Sequence, residues 1–363
     1  MIKSDKNEEN KTAKNIEKDD AKDLEKVREE YTKGTKFDET FELLKEIKSG
    51  SVGRVFKAKI KKIPINRFSA CKFLIEKKGV GNNSNNNNSK NESNNENNEI
   101  LIHGKLKHKY IPFIYGYYKV NNGTCIAMEY SKYGDLQNFK KTVIKRSSLS
   151  ESLICYFAGQ ILESLHYLHM NKIIHMDIKQ QNVLIDEYLN AKLTDYSVSI
   201  NYKNEKKIKL PKVGTCYYIS PEVLSSKTID VKEASKVDIY SFGVLVYVLA
   251  FCDYPYDLLK VDHHDYAQIL NNINEKELII PEDSEFSKMF INFMKKCLEK
   301  DIKKRYNIYQ ALKDPWVKGF QIILEEKEKL FNAGKLLINL LVDNIIEFND
   351  YVNEKEKIDG KSN

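Results

Sequence analysis

The chain has 363 residues, and 41% of them are hydrophobic, which is enough to build the core of one large domain or two ordinary ones. Its 59 basic and 52 acidic residues give a net charge of +7, a mild excess that does not indicate a nucleic-acid-binding protein. The six cysteines are far apart and include no Cys-x-x-Cys pair. This spacing favours reduced thiols over a disulfide framework or a zinc site, so we expect an intracellular protein, cytoplasmic or alternatively nuclear.

Two segments have the composition of disordered chain. Residues 1–36 are dominated by Lys, Glu, Asp and Asn, and we expect a disordered, charged N-terminal tail. Residues 79–98 are mostly Asn and Ser, and we expect a disordered insertion between two ordered elements.

Between and after these segments the pattern changes from strands to helices. Runs rich in β-branched or aromatic residues predict strands, and apolar residues at helical spacing from Leu136 onward predict helices. A small β-rich part followed by a larger helical part indicates an α+β fold. The predicted strands are Phe41–Ile47, Arg54–Ile60, Phe68–Ile75, Ile114–Val120 and Thr124–Glu129, and the predicted helices are Leu149–Asn171, Val237–Phe251 and Phe286–Glu299.

The most apolar stretch could lie in a membrane or in the core, and the C-terminal segment could pack on its own chain or on a partner. Phe242–Cys252 is too short to span a bilayer, so we expect a buried helix and no transmembrane segment. Phe320–Phe331 and Lys335–Val352 predict two further helices. The second of these is apolar around much of its circumference, so it either packs onto the helical part of its own chain or docks onto a partner.

A glycine-containing turn lies between the first two predicted strands, within Lys48–Val55. Glycines at such a turn allow backbone N–H groups to approach the phosphates of a nucleotide. The pattern is incomplete, because Lys48 stands where G-x-G-x-x-G-x-V has its first glycine, while Gly50 and Gly53 are present. A structural hairpin would have the same signature.

A lysine follows in the third predicted strand. Lys72 lies in an otherwise apolar run, where an ammonium group is costly unless it meets an anion. Glu99 begins the next apolar run and is the expected partner, because a Lys–Glu pair of this kind holds the lysine on the α- and β-phosphates. Glu96, one helical turn earlier, is the competing assignment.

The strongest signal is the run from His175 to Asn182, followed by Asp195. Phosphoryl transfer to a hydroxyl needs a carboxylate that orients the hydroxyl and accepts its proton, and Asp177 can supply it. It also needs a cation near the migrating group, for which Lys179 is suited. Asn182 and Asp195 supply the oxygen ligands that Mg²⁺ prefers.

In this order the residues resemble the eukaryotic protein kinase family, over roughly residues 37–319. The resemblance implies a bilobal fold with ATP and Mg²⁺ between a small β-rich N-lobe and a larger helical C-lobe, and proteins as substrates. It implies an N-lobe at 37–128, a hinge at 129–134, a C-lobe at 135–319 and a helical extension at 320–363. The resemblance also implies ATP contacts from Val55, Ala70, Met128, Glu129 and Ser131, and structural or substrate-related roles for Thr215, Glu222, Asp238 and Arg305.

Two positions favour the serine/threonine branch, namely Lys179 and the Gly214–Thr215 pair. Met176 replaces the arginine that usually precedes the catalytic aspartate and meets an activating phosphate. We therefore expect activity that does not depend on phosphorylation of the activation segment. Tyr196 and Ser197 replace the usual Phe-Gly after the metal aspartate. Ser197 and Lys48 favour the alternative hypothesis, a nucleotide-binding pseudokinase scaffold.

Overall fold

The structure, a computed structural model, describes residues 29, 32–50, 53–61, 67–75, 98–144 and 148–332. Within these ranges the chain forms two compact units. The sheet unit contains the described residues up to Leu106 and those from Pro112 to Tyr130. The helical unit contains Lys107–Ile111 and everything described from Ser131 onward. The α+β prediction, with a β-rich lobe and a helical lobe, is confirmed.

The sheet unit is built on five antiparallel strands in the order β1-β2-β3-β5-β4. Side chains alternate between its two faces, so each face builds its own apolar cluster. One cluster is centred on Phe56 and Phe73, and the other on Ala70 and Met128. The strands are β1 (Phe41–Gly50), β2 (Gly53–Ile60), β3 (Phe68–Ile75), β4 (Ile114–Val120) and β5 (Gly123–Glu129).

A short helix that the sequence did not predict precedes the sheet. Helix α1 (Lys36–Thr40) begins at Thr35, whose hydroxyl accepts a hydrogen bond from the backbone N–H of Asp38. Phe37 is buried and its ring lies 5.1 Å from that of Phe41. Residues 32–36, which the sequence places in the N-terminal tail, therefore form a turn and a capped helix start. The rest of the tail, apart from residue 29, lies outside the described residues.

The helix after the asparagine-rich stretch is α2, residues 98–103. It is held by Ile102 and His103, which are both buried, and the His103 ring nitrogen Nε2 lies 2.9 Å from the carbonyl oxygen of Pro112. Residues 79–97 of the predicted insertion lie outside the described residues.

The helical unit contains the longer helices and several two- or three-residue strands. Side chains of the preceding residue cap several of these helices, as Ser150 does for α4 and Ser287 for α8. Its helices are α3 (Leu136–Phe139), α4 (Glu151–Met170), α5 (Pro221–Leu224), α6 (Ala234–Phe251), α7 (Tyr266–Glu275), α8 (Lys288–Cys297), α9 (Ile308–Lys313) and α10 (Pro315–Asn332). Its strands are β6 (Ile173–Ile174), β7 (Val183–Ile185), β8 (Ala191–Leu193), β9 (Ile200–Asn201), β10 (Lys207–Lys209) and β11 (Thr228–Asp230).

Helix α6 forms the centre of this unit. Together with the turn before it, it is long and apolar enough to cross a membrane, so the length argument made from Phe242–Cys252 was wrong. Burial explains its composition instead, because 89% of its apolar window is covered by the rest of the fold. Among the described residues this is the only such segment, and it is a core helix.

Helix α10 packs onto helix α4. It begins at Pro315, five residues before the predicted start, so the boundary placed between residues 319 and 320 lies inside a continuous helix. Trp316 and Phe320 are both buried, and the indole N–H of Trp316 donates to Glu151 at 2.9 Å. The described part of the predicted extension therefore packs onto its own chain. The second predicted helix, Lys335–Val352, lies outside the described residues.

Gly159 in the middle of α4 provides a test of this packing. A Cβ atom there would lie 2.3 Å from the ring of Phe320. Helix propensity alone predicts that Gly159→Ala stabilises the protein by about 1 kcal/mol. The clash predicts the opposite, a loss of about 1–3 kcal/mol in the free energy of unfolding, measured by chemical denaturation.

The control is the same substitution in a Phe320→Ala background. There the ring is absent and only the Cβ atom of residue 320 stays close, at 2.8 Å, so Gly159→Ala should cost clearly less than in the wild-type background. A wild-type background in which Gly159→Ala stabilises the protein would contradict the observed packing of α10.

Candidate active site

The loop that follows β6 is hydrogen-bonded to a buried carboxylate. Asp238 in α6 is fully buried, and its two oxygens accept the backbone N–H groups of His175 at 2.9 Å and Met176 at 3.0 Å. His169, at the end of α4, lies 2.8 Å from the same carboxylate through Nε2. Three separate segments of the helical unit are thus joined at one side chain.

This loop presents Asp177 within a dense set of hydrogen-bond donors. The hydroxyl of Thr215 donates to Asp177 Oδ1 at 2.8 Å, and Asn182 Nδ2 donates to Oδ2 at 2.9 Å. Lys179 Nζ lies 2.7 Å from both Asp177 Oδ2 and Thr215 Oγ1. The structure therefore brings together four residues that the sequence singled out, and it fixes the orientation of the Asp177 carboxylate.

Asn182 and Asp195 are the predicted metal ligands. The Asn182 amide donates two hydrogen bonds to Asp177, one to the carboxylate and one to its backbone carbonyl at 2.8 Å. Both bonds use the amide nitrogen of Asn182, so its amide oxygen is not occupied by them and is suited to bind a hard cation. An amide oxygen and a carboxylate fit Mg²⁺, which keeps several other ligands from water and phosphate. Among the described residues there is no cluster of three His, Cys, Asp or Glu that would suggest a different kind of metal centre.

Two of the eight non-glycine residues with positive φ in the described part of the chain lie at this site. Met176 has φ 71° and Asp195 has φ 69°, in the left-handed region that side chains other than Gly rarely adopt. Gly214 has φ 104°, and a Cβ atom there would lie 2.5 Å from the carbonyl oxygen of Met176. Only glycine therefore permits the close approach that brings the following residue, Thr215, to Asp177.

Tyr196 fills the position next to the predicted metal ligand Asp195. Its side chain is fully buried, and its hydroxyl donates to the carbonyl oxygen of Leu193 at 2.9 Å. Its ring lies 5.2 Å from the ring of His175 in an edge-on arrangement. A buried tyrosine needs a partner for its hydroxyl, and here it has one, so it can replace phenylalanine in the packing.

A buried ion pair lies at the end of the segment that runs from Asp195 to Glu222. Arg305 is fully buried, and its guanidinium donates two hydrogen bonds to Glu222, at 2.7 and 3.1 Å. It also donates to the backbone carbonyls of Glu299 at 2.8 Å and Lys236 at 2.9 Å. A forked guanidinium suits this bidentate arrangement, and the pair links helix α5 to the loop before α9.

In the sheet unit, Lys72 meets Glu99. The Nζ atom lies 2.9 and 2.6 Å from the two carboxylate oxygens, and the Glu99 side chain is only 2% exposed. The ammonium group is therefore fixed over the face of the sheet that α2 covers. Glu96, the competing partner, lies outside the described residues.

The same face of the sheet carries the predicted adenine contacts. Ala70 and Met128 are paired across β3 and β5, and Val55 packs against the cluster that they form. Gly50 and Gly53 face each other at the end of the β1–β2 hairpin. Gly53 has φ 152°, and a Cβ atom there would meet the carbonyl oxygen of Phe73 at 2.1 Å, so the β2–β3 pairing itself requires this glycine.

The predicted hinge begins where β5 ends. The backbone N–H of Glu129 donates to the carbonyl oxygen of Phe113 at 2.8 Å, and Ser131 is buried. The chain passes from the sheet unit to the helical unit between Tyr130 and Ser131. The assignment of these residues to nucleotide binding stays a prediction.

His169 is the residue of this site that the sequence analysis missed. One signal was available, because His169 lies four and seven residues after Leu165 and Leu162, on the buried side of α4. A histidine within an apolar helical stripe needs a polar partner, although the sequence does not identify Asp238, 69 residues later, as that partner.

The comparisons with known proteins all match protein kinases. A family model described as a protein kinase domain matches residues 41–317. The serine/threonine-protein kinase dst2 of Dictyostelium discoideum is 30% identical over 311 residues, which are 82% of this chain and 25% of that protein. NUAK family SNF1-like kinase 1 of Homo sapiens is 30% identical over 186 residues, 51% of this chain and 27% of that protein. NUAK family SNF1-like kinase 2 of Pongo abelii is 32% identical over 176 residues, 48% of this chain and 26% of that protein. The chain spans about a quarter of the length of these relatives.

Asp238→Asn tests the anchor of the loop. The amide would present N–H groups to the N–H groups of His175 and Met176, so at least one buried donor would lose its acceptor. We expect the free energy of unfolding to fall by about 1–3 kcal/mol in a denaturant titration. Glu187→Gln, the same kind of change at an exposed position, should stay within about 0.5 kcal/mol of wild type. Equal stability of the two variants would contradict the anchoring role.

Proposed function

The chain belongs to the protein kinase family, and on this basis we propose that it is an active serine/threonine kinase. It transfers the γ-phosphate of ATP to serine or threonine hydroxyls of protein substrates. The observation that supports activity most directly is the cluster around Asp177, because Lys179, Asn182 and Thr215 are all hydrogen-bonded to that carboxylate. Relatives at about 30% identity support membership of the family more firmly than they support catalytic activity of this chain.

In the proposed reaction Asp177 acts on the acceptor. Its carboxylate orients the substrate hydroxyl and accepts its proton, while the hydroxyl oxygen forms a bond to the γ-phosphorus. The bond from the γ-phosphorus to the bridging oxygen breaks, and ADP leaves with that electron pair. Lys179, 2.7 Å from Asp177, places a positive charge beside the migrating phosphoryl group.

Two sets of residues would hold the nucleotide and its metal. Lys72, fixed by Glu99, is proposed to bind the α- and β-phosphates. Asn182 and Asp195 would hold Mg²⁺, which when bound neutralises charge on the phosphates. Val55, Ala70 and Met128 would contact the adenine, and the hinge residues Glu129 and Ser131 would supply its hydrogen-bonding partners.

The contact between Lys179 and Thr215 supports serine/threonine specificity. Lys179 donates to the hydroxyl of Thr215, which itself donates to Asp177. This chain of bonds ties the end of the activation segment to the acceptor site. Both residues match the serine/threonine branch of the family, and the printed name of the Dictyostelium relative is that of a serine/threonine kinase.

We further propose that activity does not depend on phosphorylation of the activation segment. Met176, in place of the arginine that binds an activating phosphate, is 4% exposed and has no charge to offer. Residues 200–214 contain no serine or threonine, and their one hydroxyl belongs to Tyr202. Tyr202 is only 6% exposed, and burial raises its pKa to about 12, so this hydroxyl is poorly placed as a phosphate acceptor.

Backbone pairing supports the same proposal. Strand β9 pairs with β6, next to the catalytic loop, and β10 pairs with β11, which follows α5. Ile208 and Ile229 lie opposite each other in the second pair and are both buried. These two short ladders order the activation segment through hydrogen bonds and apolar contacts, which a phosphate is not needed to make.

The proposed setting is intracellular, cytoplasmic or alternatively nuclear. All six cysteines lie in the described part of the chain, and all are thiols that form no disulfide. Burial raises the pKa of the Cys155 and Cys297 thiols well above the usual value, which keeps them unreactive. Free thiols throughout are typical of a reducing compartment.

The main test uses the purified chain, labelled ATP, Mg²⁺ and a generic protein substrate. Wild type should transfer label to serine or threonine, and Asp177→Asn should reduce the rate by roughly 10²–10⁴-fold because the acceptor loses its base. Asp283→Asn, at an exposed carboxylate, should retain the wild-type rate.

The alternative is a pseudokinase scaffold, which the departures at Lys48 and Ser197 favour. If neither wild type nor Asp177→Asn transfers label, while both bind ATP in a thermal-shift assay, the scaffold is established and the proposed activity is overturned.

A further inference from the structure

The register of the sheet places Lys48 on the same face as Lys72. Lys48 pairs with Val55 across β1 and β2, and Val55 pairs with Lys72 across β2 and β3. Residues that lie directly opposite each other on neighbouring strands project to the same face. Lys48, Val55 and Lys72 therefore form one row across three strands, on the face that carries Ala70 and Met128.

A β-bulge creates this placement. The pairing of β1 with β2 shifts between Glu46 and Lys48, so the residues on either side of the bulge change face relative to a regular strand. Glu46 lies on the opposite face, where its carboxylate binds the guanidinium of Arg54 through two hydrogen bonds.

The face that carries Lys48 holds further basic residues, Lys45, Lys57 and Lys59, together with one acidic residue, Glu42, opposite Lys59. Lys45 lies opposite Lys57 in the same pair of strands. Burial lowers the pKa of Lys57, and the charge of Lys45 lowers it further. An excess of basic residues on one face attracts anions to it.

Lys48 lies close enough to Lys72 for both side chains to reach one nucleotide. Neighbouring strands are about 4.8 Å apart, so the Cα atoms of Lys48 and Lys72 are separated by about 10 Å, two strand spacings. Both side chains are long, and each ends in an ammonium group. Lys48 is exposed and stands two residues before Gly50, at the start of the hairpin turn.

We propose that Lys48 is a phosphate-binding residue for the nucleotide and adds a second ammonium group to that of Lys72. The proposal rests on the assignment of Lys72 to the nucleotide phosphates. A glycine at this position can offer only its backbone to the phosphates, whereas the lysine offers a charge. The departure from the glycine pattern is then a gain in electrostatic binding and not a sign of lost nucleotide binding.

Direct binding measurements test this role without requiring turnover. Titration calorimetry with ATP, ADP, AMP and adenosine, in the presence of Mg²⁺, would compare wild type with Lys48→Met and Lys48→Arg. Lys48→Met should weaken ATP binding by roughly three- to tenfold at low salt, weaken ADP binding less, and leave adenosine binding unchanged. Lys48→Arg, which retains the charge, should stay close to wild type.

Lys45→Met is the matched control, because Lys45 lies on the same strand and face but farther from the turn. An equal loss of ATP affinity in Lys45→Met and Lys48→Met would indicate a general effect of net charge and overturn the specific contact. Unchanged ATP affinity in Lys48→Met, or an equal loss for adenosine, would also overturn it.

The outcome separates this proposal from the proposed catalytic function. If wild type transfers phosphate and Lys48→Met binds ATP as wild type does, only the role of Lys48 fails. If wild type binds ATP through Lys48 but transfers no phosphate, the activity fails and the role of Lys48 stands.

Discussion

The carboxylate of Asp238 is the constraint on which the rest of the helical unit depends. It lies in the second turn of the largely buried helix α6, where an unpaired charge would be strongly unfavourable, and its hydrogen-bond partners are the backbone of His175 and Met176 and the ring of His169. Those contacts fix the start of the catalytic loop from the core of the fold. Asp177 follows one residue later, so its position is set by the same packing that holds the unit together.

From this anchor the order extends into the activation segment. Gly214 approaches Met176 so closely that no side chain fits, and Thr215 then reaches Asp177. In a kinase that requires an activating phosphate, an arginine beside the catalytic aspartate would supply part of this order. We propose that here the β10–β11 pairing and the bond from Thr215 supply it, which would make loss of the arginine compatible with activity.

The sequence predicted the local contacts of the candidate site better than the long-range packing around it. Asp177, Lys179 and Asn182 lie within six residues of one another, so local spacing was enough to bring them together, and Lys72–Glu99 follows from the cost of a lysine in an apolar strand. The contact of His169 with Asp238 and the start of α10 at Pro315 depend on long-range packing that no local pattern contains. The face on which Lys48 lies depends on a bulge, since a shift of one residue reverses the direction of every side chain.

The measurement that tests the account most directly is the turnover number of the chain freed of all phosphate. The chain would be treated with phosphatase, its phosphate-free state verified by intact-mass spectrometry, and its initial rate compared with that of untreated enzyme before autophosphorylation accumulates. If the loop is ordered by Asp238 and the segment by its strand pairing, the two rates should agree within about threefold, or less than ~1 kcal/mol in activation free energy. A loss of about 100-fold or more that is restored when the segment is phosphorylated again would contradict the account.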